Sequence, residues 1–387
     1  MREVETGIRR ATLREVLLEW GRIGCIGFGG PPTHIALLRN LCVERRRWLS
    51  SGEFEDAVAA CNLLPGPAST QLAIFCAWRV RGVGGVLLGG AAFIVPGLTL
   101  ITLLAVLFLA GSSPDWVRGA GAGAGAAVAA VAVRSGAALV PASWERSRSR
   151  PRWLLYLLLG TAAAALAGPW LVVLLVLTGV CESLRRREAT GSRLLSIALP
   201  APVAAAAATG GLGALAWVAA KVGALSYGGG FVIVPLMQAD AVERYHWMTG
   251  AQFLNAVALG QITPGPVVQT VAVVGYAAAG VGGALLAALV AFSPSFLFVL
   301  GGARHFERLR GQPRVQGFLD GAGPAAIGAI LGSAIPLAGA LQRSWQYAVL
   351  TAAGVSLLAL RRGIVSTLLF AAAVGVVLAL LGVRLPR

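Results

Sequence analysis

The chain alternates long apolar runs with short, polar and mostly basic loops. Runs long enough to matter occupy 83–110, 119–140, 153–181, 282–302 and 364–383, and Arg134 is the one charge inside any of them. A helix rises 1.5 Å per residue, so roughly 20 apolar residues cross the hydrocarbon core of a bilayer. The pattern therefore predicts an all-α polytopic membrane protein. Two of the apolar stretches are broken by the same tripeptide, Pro65-Gly66-Pro67 and Pro264-Gly265-Pro266. Proline removes a backbone donor and clashes with the preceding turn, so neither stretch is expected to be one straight helix.

The shared tripeptide belongs to a longer match. "GFGGPPTHIALLRNLCVERRRWLSSGEFEDAVAACNLLPGP" aligns without a gap on "SYGGGFVIVPLMQADAVERYHWMTGAQFLNAVALGQITPGP" at an offset of 199 residues, as from Gly29 to Gly228. Glu44-Arg45 falls on Glu243-Arg244, Trp48 on Trp247 and Phe54 on Phe253. One residue is dropped after the tripeptide, and Gln71/Gln269, Gly82/Gly280 and Pro96/Pro294 continue the match at 198. Runs of alanine and leucine can align by composition; Trp, Glu-Arg and Pro-Gly-Pro in one register cannot. The expected organisation is a first repeat over 1–182, a basic linker and connecting span over 183–210, and a second repeat over 211–387.

Charge then orients the halves. "ERRRW" with Arg79 and Arg81 in the first half has the less basic counterparts "ERYHW" and "YAAAG" in the second. At the next loop the bias reverses, with "GSSPDWVRG" nearly neutral and "ARHFERLRGQPR" strongly basic. Opposite insertion of the two halves accounts for this, because cytoplasmic loops collect Lys and Arg. Inverted repeats are a transporter signature, since mirror-related halves can present one site to either side in turn.

The same rule bears on the broken stretches. A straight span over 54–78 would put "ERRRW" and Arg79/Arg81 on opposite sides. A re-entrant hairpin with Pro65-Gly66-Pro67 at its tip puts them together; the rival reading keeps each tripeptide as a kink in a full span. Gly29-Gly30-Pro31-Pro32 is expected to turn a second hairpin between 12–28 and 33–43. Residues 153–181, broken at Gly168-Pro169, read as two short helices, and 194–209 as an extra span. Residues 211–242 and 252–279 repeat the hairpins, and 345–360 and 364–383 form a closing pair turning at Arg361-Arg362.

Composition narrows the function. The chain is 57% hydrophobic and 12% charged, with a formal net charge of +16. That charge sits in short loops, and no soluble segment is long enough to form a nucleic-acid-binding domain. Positions 9–15 carry charge where a cleavable signal needs an apolar core, so the N-terminus reads as a cytoplasmic lead-in. The five cysteines form no C-x-x-C pair and have no histidines at ligand spacing, so neither a metal, a cofactor nor a disulfide framework is expected. No Ser/His/Asp set, buried carboxylate pair or phosphate loop suggests an enzyme.

What remains are the breaks. Broken backbone at membrane depth must be buried in protein or line a wet cavity. A half-helix starting there presents free N–H groups and its positive dipole end, an anion site in outline. The candidate substrate-binding residues are therefore Phe28, Gly29, Gly30 and Pro31, then Pro65, Gly66 and Pro67, with their repeat partners Tyr227, Gly228, Gly229, Pro264, Gly265 and Pro266. Arg22 and Lys221, at matching positions just before the first break of each half, are candidate cavity cations; snorkelling to the interface is the alternative. His34, whose counterpart is Ile233, can bond an oxyanion or relay a proton, or be purely structural. Gln71 and Gln269, with Asn62, Ser69, Thr70 and Thr263, offer neutral donors beside the tips. Trp48 and Trp247 read as interfacial anchors.

The stretches "GFGGPPTHIALL", "ERRRWLSSGEFEDAVAACNLLPGPASTQLA" and "SYGGGFVIVPLMQADAVERYHWMTGAQFLNAVALGQITPGPVVQTVAVVGY" resemble the bacterial chromate ion transporter family in its long, two-repeat form. The likeness spans nearly the whole chain. It implies a multi-pass inner-membrane protein that exports chromate, a tetrahedral dianion like sulfate, and so confers chromate resistance. The expected partners are that oxyanion, the lipid bilayer and, as a candidate, a second copy of the chain. Uptake or exchange of sulfate or another anion is the alternative. Two positions depart from the pattern: Pro31 falls on Gly230 in the second copy, and Pro32 adds a second proline.

Overall fold

The computed structural model describes residues 11–61, 66–109, 113–166, 170–187, 211–226, 232–302 and 312–386. Every regular element among them is a helix. The first half contains α1 (Leu13–Ile26), α2 (Pro31–Arg39), α3 (Ser51–Cys61), α4 (Ala68–Leu109), α5 (Asp115–Arg146), α6 (Arg150–Leu166) and α7 (Leu171–Arg187). The second half repeats the series as α8 (Gly211–Leu225), α9 (Ile233–Gln238), α10 (Gly250–Ile262), α11 (Thr270–Gly302), α12 (Pro313–Gly339), α13 (Ser344–Gly354) and α14 (Ile364–Leu380). The extra span expected over 194–209 lies outside the described residues. Among the described residues, four helical stretches are long and apolar enough to cross a membrane: 68–109, 115–146, 267–302 and 315–339.

The repeat extends to backbone detail. α2 and α9 each run into a π-helical turn, Asn40–Arg45 and Ala239–Arg244, followed by a residue with positive φ at Arg47 (51°) and His246 (52°). The next helix opens on a capping box in both halves: Ser50 with Glu53, and Thr249 with Gln252. α4 breaks at Arg81 (φ −143°) and Gly82 (φ 60°), and α11 breaks at Ala279 (φ −153°) and Gly280 (φ 63°). A positive φ with strongly negative ψ is open essentially to glycine alone, which accounts for glycine at both bends. After the bend the chain doubles back so closely that a Cβ on Gly85 would lie 2.0 Å from the Ala77 carbonyl oxygen.

Ion pairs show which way the hairpins open. Glu53 begins α3 and Arg79 ends the returning limb of α4, yet the two side chains are paired. Glu19 on α1 likewise pairs with Arg46 at 2.6 Å, just beyond the π turn that ends α2. Both pairs of arms therefore start and finish on one side, as re-entrant hairpins do and kinked spans do not. α3 rises about 17 Å and the limb 68–80 about 20 Å, short of a core of about 30 Å. The limb 83–109, at about 40 Å, crosses it. The all-α fold of two inverted repeats with broken, re-entrant helices is as the sequence implies.

One expectation fails locally. Trp48 is buried and stacks on Trp20 with ring centroids 6.1 Å apart, and the Arg46 guanidinium lies 5.6 Å from the Trp48 ring centroid. The π turn folds the loop back onto α1, so this indole is a packing residue rather than an interfacial anchor.

The halves are clasped together. α5 packs between α13 and α14 of the second half, and α12 packs on α6 and α7 of the first. Glycines set the contact distance: a Cβ on Gly123 would lie 2.1 Å from the Ala371 carbonyl oxygen, and one on Gly321 would lie 2.1 Å from that of Thr178. Gly123 and Gly321 are repeat equivalents, and Thr178 and Ala371 hold the same place in α7 and α14, eighth from the start of each helix.

Candidate functional site

The breaks converge around the carbonyl of Gly27, at the end of α1. It accepts the peptide N–H of Gly265 at 3.0 Å and His34 Nε2 at 2.9 Å. A carbonyl can only accept, so Nε2 carries a proton, and in the neutral ring Nδ1 accepts from Ser69 Oγ at 3.3 Å. His34 is fully buried, with its ring edge-on to Phe93, centroids 5.0 Å apart. One imidazole thus ties the first break to the returning arm of the first hairpin, while the same carbonyl receives the tip of the second.

Each tip is seated on the other repeat. Gly265 meets α1 through Gly27, and a Cβ on Gly66 would lie 3.4 Å from the carbonyl oxygen of Gly223 in α8. The second tip also rests on α4, where a Cβ on Gly97 would come within 2.1 Å of the Pro264 carbonyl oxygen. Gly66 (φ 115°) and Gly265 (φ 99°) both lie in the region that favours glycine. In each returning arm the first helical bonds close back onto the tip proline, from Thr70 and Gln71 to Pro67 and from Gln269 to Pro266. The N–H groups of Ala68 and Ser69, and of Val267 and Val268, therefore precede the intrahelical ladder.

The first break offers less. Gly29 (φ 99°) and Gly30 (φ 73°) turn the chain, but α2 then starts on Pro31 and Pro32, which have no N–H to give. Thr33 and His34 donate their N–H groups to Gly30. Phe28 is 42% exposed and lies at the rim of the turn rather than inside it. Pro65, Tyr227, Gly228 and Gly229 lie outside the described residues.

Gln269 is buried, and its amide donates to the Pro264 carbonyl at 2.6 Å and to Thr263 Oγ1 at 3.4 Å. It braces the tip from within. Gln71 occupies the matching position at the first tip, where a Cβ on Gly66 would lie 2.6 Å from its amide nitrogen.

The matched cations part company. Arg22 is exposed on α1. Lys221 is largely buried, forms an ion pair with Asp240 and lies 5.7 Å from the centroid of the Trp217 ring. Asp240 falls on Leu41 in the other half, so a search for features shared by the repeats passes over it.

The two tips also differ in lining. Gly27 and Gly97, which receive the second tip, correspond to Ser226 and Ser295 in the second half. Both serines are fully buried, and among the described residues their hydroxyls have no protein hydrogen-bond partner. Thr70 Oγ1, in the returning arm of the first hairpin, is likewise buried and unpartnered. The positions matching Ser69 and Thr70 are Val267 and Val268. The first returning arm thus carries two hydroxyls where the second has valines, and the repeat sets Ser226 and Ser295 toward the first tip as it sets Gly27 and Gly97 toward the second. Ser69 and Thr70 are legible in the sequence as donors beside the tip, whereas Ser226 and Ser295, single hydroxyls in apolar runs, give no such signal.

Comparison with known proteins assigns the architecture. A chromate transporter family model matches residues 14–181 and again 213–381, one match per half. The chain belongs to the chromate transporter family. It is 31% identical over 335 residues to the chromate transport protein of Cupriavidus metallidurans, covering 84% of this chain and 83% of that one. It is 31% identical over 337 residues to a probable chromate transport protein of Synechococcus elongatus, with 84% of each chain covered. The chromate transport protein of Pseudomonas aeruginosa is 30% identical over 336 residues, covering 82% of this chain and 79% of that one. No solved structure matches this member of the family at significance.

Proposed function

We propose that this chain is a secondary transporter that carries chromate outward across the bacterial inner membrane and so confers chromate resistance. The observation that carries this reading is the reciprocal seating of two re-entrant tips, each on the other repeat's first helix. A site shared by two inverted halves can open to either side as they rock. Family membership supports chromate as the substrate. The membrane potential supports the direction: it favours exit of each negative charge by about 2.3 kcal/mol per 100 mV, and chromate carries two.

The anion is held on the hydroxyl-rich side. Gly66 and Pro67 form the tip, and the N–H groups of Ala68 and Ser69 with the hydroxyls of Thr70, Ser226 and Ser295 supply neutral donors. His34 fixes Ser69, and Gln71 and Gln269 hold the tips in shape. Pro264, Gly265 and Pro266 with Gly29, Gly30 and Pro31 form the opposing wall. Lys221 supplies positive charge that Asp240 offsets until the anion arrives, and Arg22 draws anions from the first-half side. Neutral donors suit a carrier, because a dianion held by fixed, unpaired cations is slow to leave.

Flux of labelled chromate and labelled sulfate into proteoliposomes tests the reading. Chromate flux well above empty liposomes, weakly inhibited by excess sulfate, is expected. Sulfate flux equal to or faster than chromate flux would assign a sulfate permease instead, and no flux of either would end the proposal. In cells, expression should lower chromate accumulation relative to an empty vector.

A further inference from the structure

The closing pair of the second half leaves a groove of about 850 Å³ between α13, with its π-helical extension Val355–Ala359, and α14. Its walls are apolar along most of their length, with Val349, Ala353, Phe370, Val374 and Leu378 facing in. One end differs: Ser356, Ser366, Thr367 and Arg362 line it. The turn there is tight, with Arg361 at φ 53° and the Arg362 N–H donating to the Ser356 carbonyl at 2.9 Å. Both arginines are exposed. From Arg362 to Leu378 the groove follows α14 for about 24 Å, more than one leaflet's share of a core of about 30 Å.

An apolar channel with a cationic, hydroxyl-bearing end complements an amphiphile with an anionic head. We propose that this groove binds an anionic phospholipid, its acyl chain along Phe370 and Val374 and its phosphate at Arg361 and Arg362. The repeat supplies an internal comparison. α7 and α14 are both 17 residues long, and setting Ile364 on Leu171 puts Arg361, Arg362, Ser366 and Thr367 on Gly168, Pro169, Val173 and Leu174 of the first-half sequence. The polar end is therefore an addition to the second half and not a requirement of the duplicated fold. The arginines also place this turn on the cytoplasmic side, the leaflet whose anionic lipids attract basic segments. The site is separate from the tips and does not depend on what they carry.

The test uses the full chain in mild detergent, incubated with dioleoylphosphatidylglycerol or dioleoylphosphatidylcholine and read by native mass spectrometry. Selective retention of phosphatidylglycerol is expected. Arg361→Gln with Arg362→Gln should weaken it about 30-fold, at two surface arginines' worth of attraction, and leave phosphatidylcholine unchanged. Val374→Trp, which fills the groove, should expel the lipid from a chain that stays monodisperse. Equal retention of the two lipids, or phosphatidylglycerol retention unchanged in both variants, overturns the proposal. Efficient cross-linking of two copies through Phe370→Cys in liposomes would put a second chain in the groove and overturn it as well.

Discussion

The peptide N–H of Gly265 donates to the carbonyl of Gly27 at 3.0 Å, across 238 positions of sequence and between the two halves of the chain. This bond joins the tip of one hairpin to the break that turns another. A motion that lifts the second tip off α1 must release it, and the oxygen that it leaves is also bonded to His34 Nε2. The contact is therefore a place to interrupt transport without touching a charge.

Gly97→Ala should do so. Its methyl would lie 2.1 Å from the Pro264 carbonyl oxygen, so the tip must shift off α4. Overpacking of this kind costs about 1–3 kcal/mol. We expect chromate flux to fall at least tenfold with a lowered melting temperature. Gly301→Ala, where a methyl meets open space, is the control and should match wild type in both measurements.

The second half provides the template for removing the first half's polar lining. His34→Ile with Ser69→Val installs the residues found at Ile233 and Val267. A pair already compatible with this backbone should leave expression and thermal stability close to wild type. Flux should drop by an order of magnitude or more. Full flux in the double variant would remove His34 and Ser69 from the transport pathway.

Lys221 and Asp240 call for a double-mutant cycle. Asp240→Ala alone leaves a largely buried ammonium without its partner, and breaking a buried pair costs about 3–5 kcal/mol. Lys221→Ala with Asp240→Ala removes both charges and should recover much of that loss, read by thermal unfolding in detergent. Arg22→Ala, on an exposed side chain, should leave stability within about 0.5 kcal/mol.

Glu53 sets an acid limit on the first hairpin's mouth. The Ser50 backbone N–H bonds its carboxylate, and with the Ser50 hydroxyl and Arg79 this holds its pKa below the ordinary carboxylate value despite partial burial. A depressed folded-state pKa means the contribution is complete above the unfolded value and fades as pH falls through the folded one. Wild type should therefore lose stability on acidification below about pH 4.5 more steeply than Glu53→Gln. The glutamine reproduces the cap that Gln252 already makes in the second half. Parallel pH profiles would show that Glu53 carries no such linkage.

Much of the architecture was legible because duplication records it twice. Pro-Gly-Pro, the paired glycines and the alternating loop charge marked the hairpins and their sense, and Glu53 with Arg79 bears out the shared mouth. What escaped notice was whatever one half has alone. Asp240 opposite Leu41, and Ser226 and Ser295 opposite glycines, vanish in an alignment that rewards identity. The π turns escaped for another reason: Asn40–Arg45 and Ala239–Arg244 share a backbone but no composition that distinguishes π from α. Missing that turn is also what left Trp48 assigned to the interface.

The clasp between halves has a consequence for how the chain is made. The glycine face of α5 that meets Ala371 and Gly375 has its covering partners on α14, more than 200 residues later in synthesis. The first half therefore emerges from the ribosome with a helix whose backbone is designed to be touched and has nothing yet to touch it. Its final packing is deferred until the last helix enters the bilayer, so the duplicated sequence does not mature as two successive modules. A chain released early, before residue 364, would contain a complete first repeat and still lack the surface that finishes it.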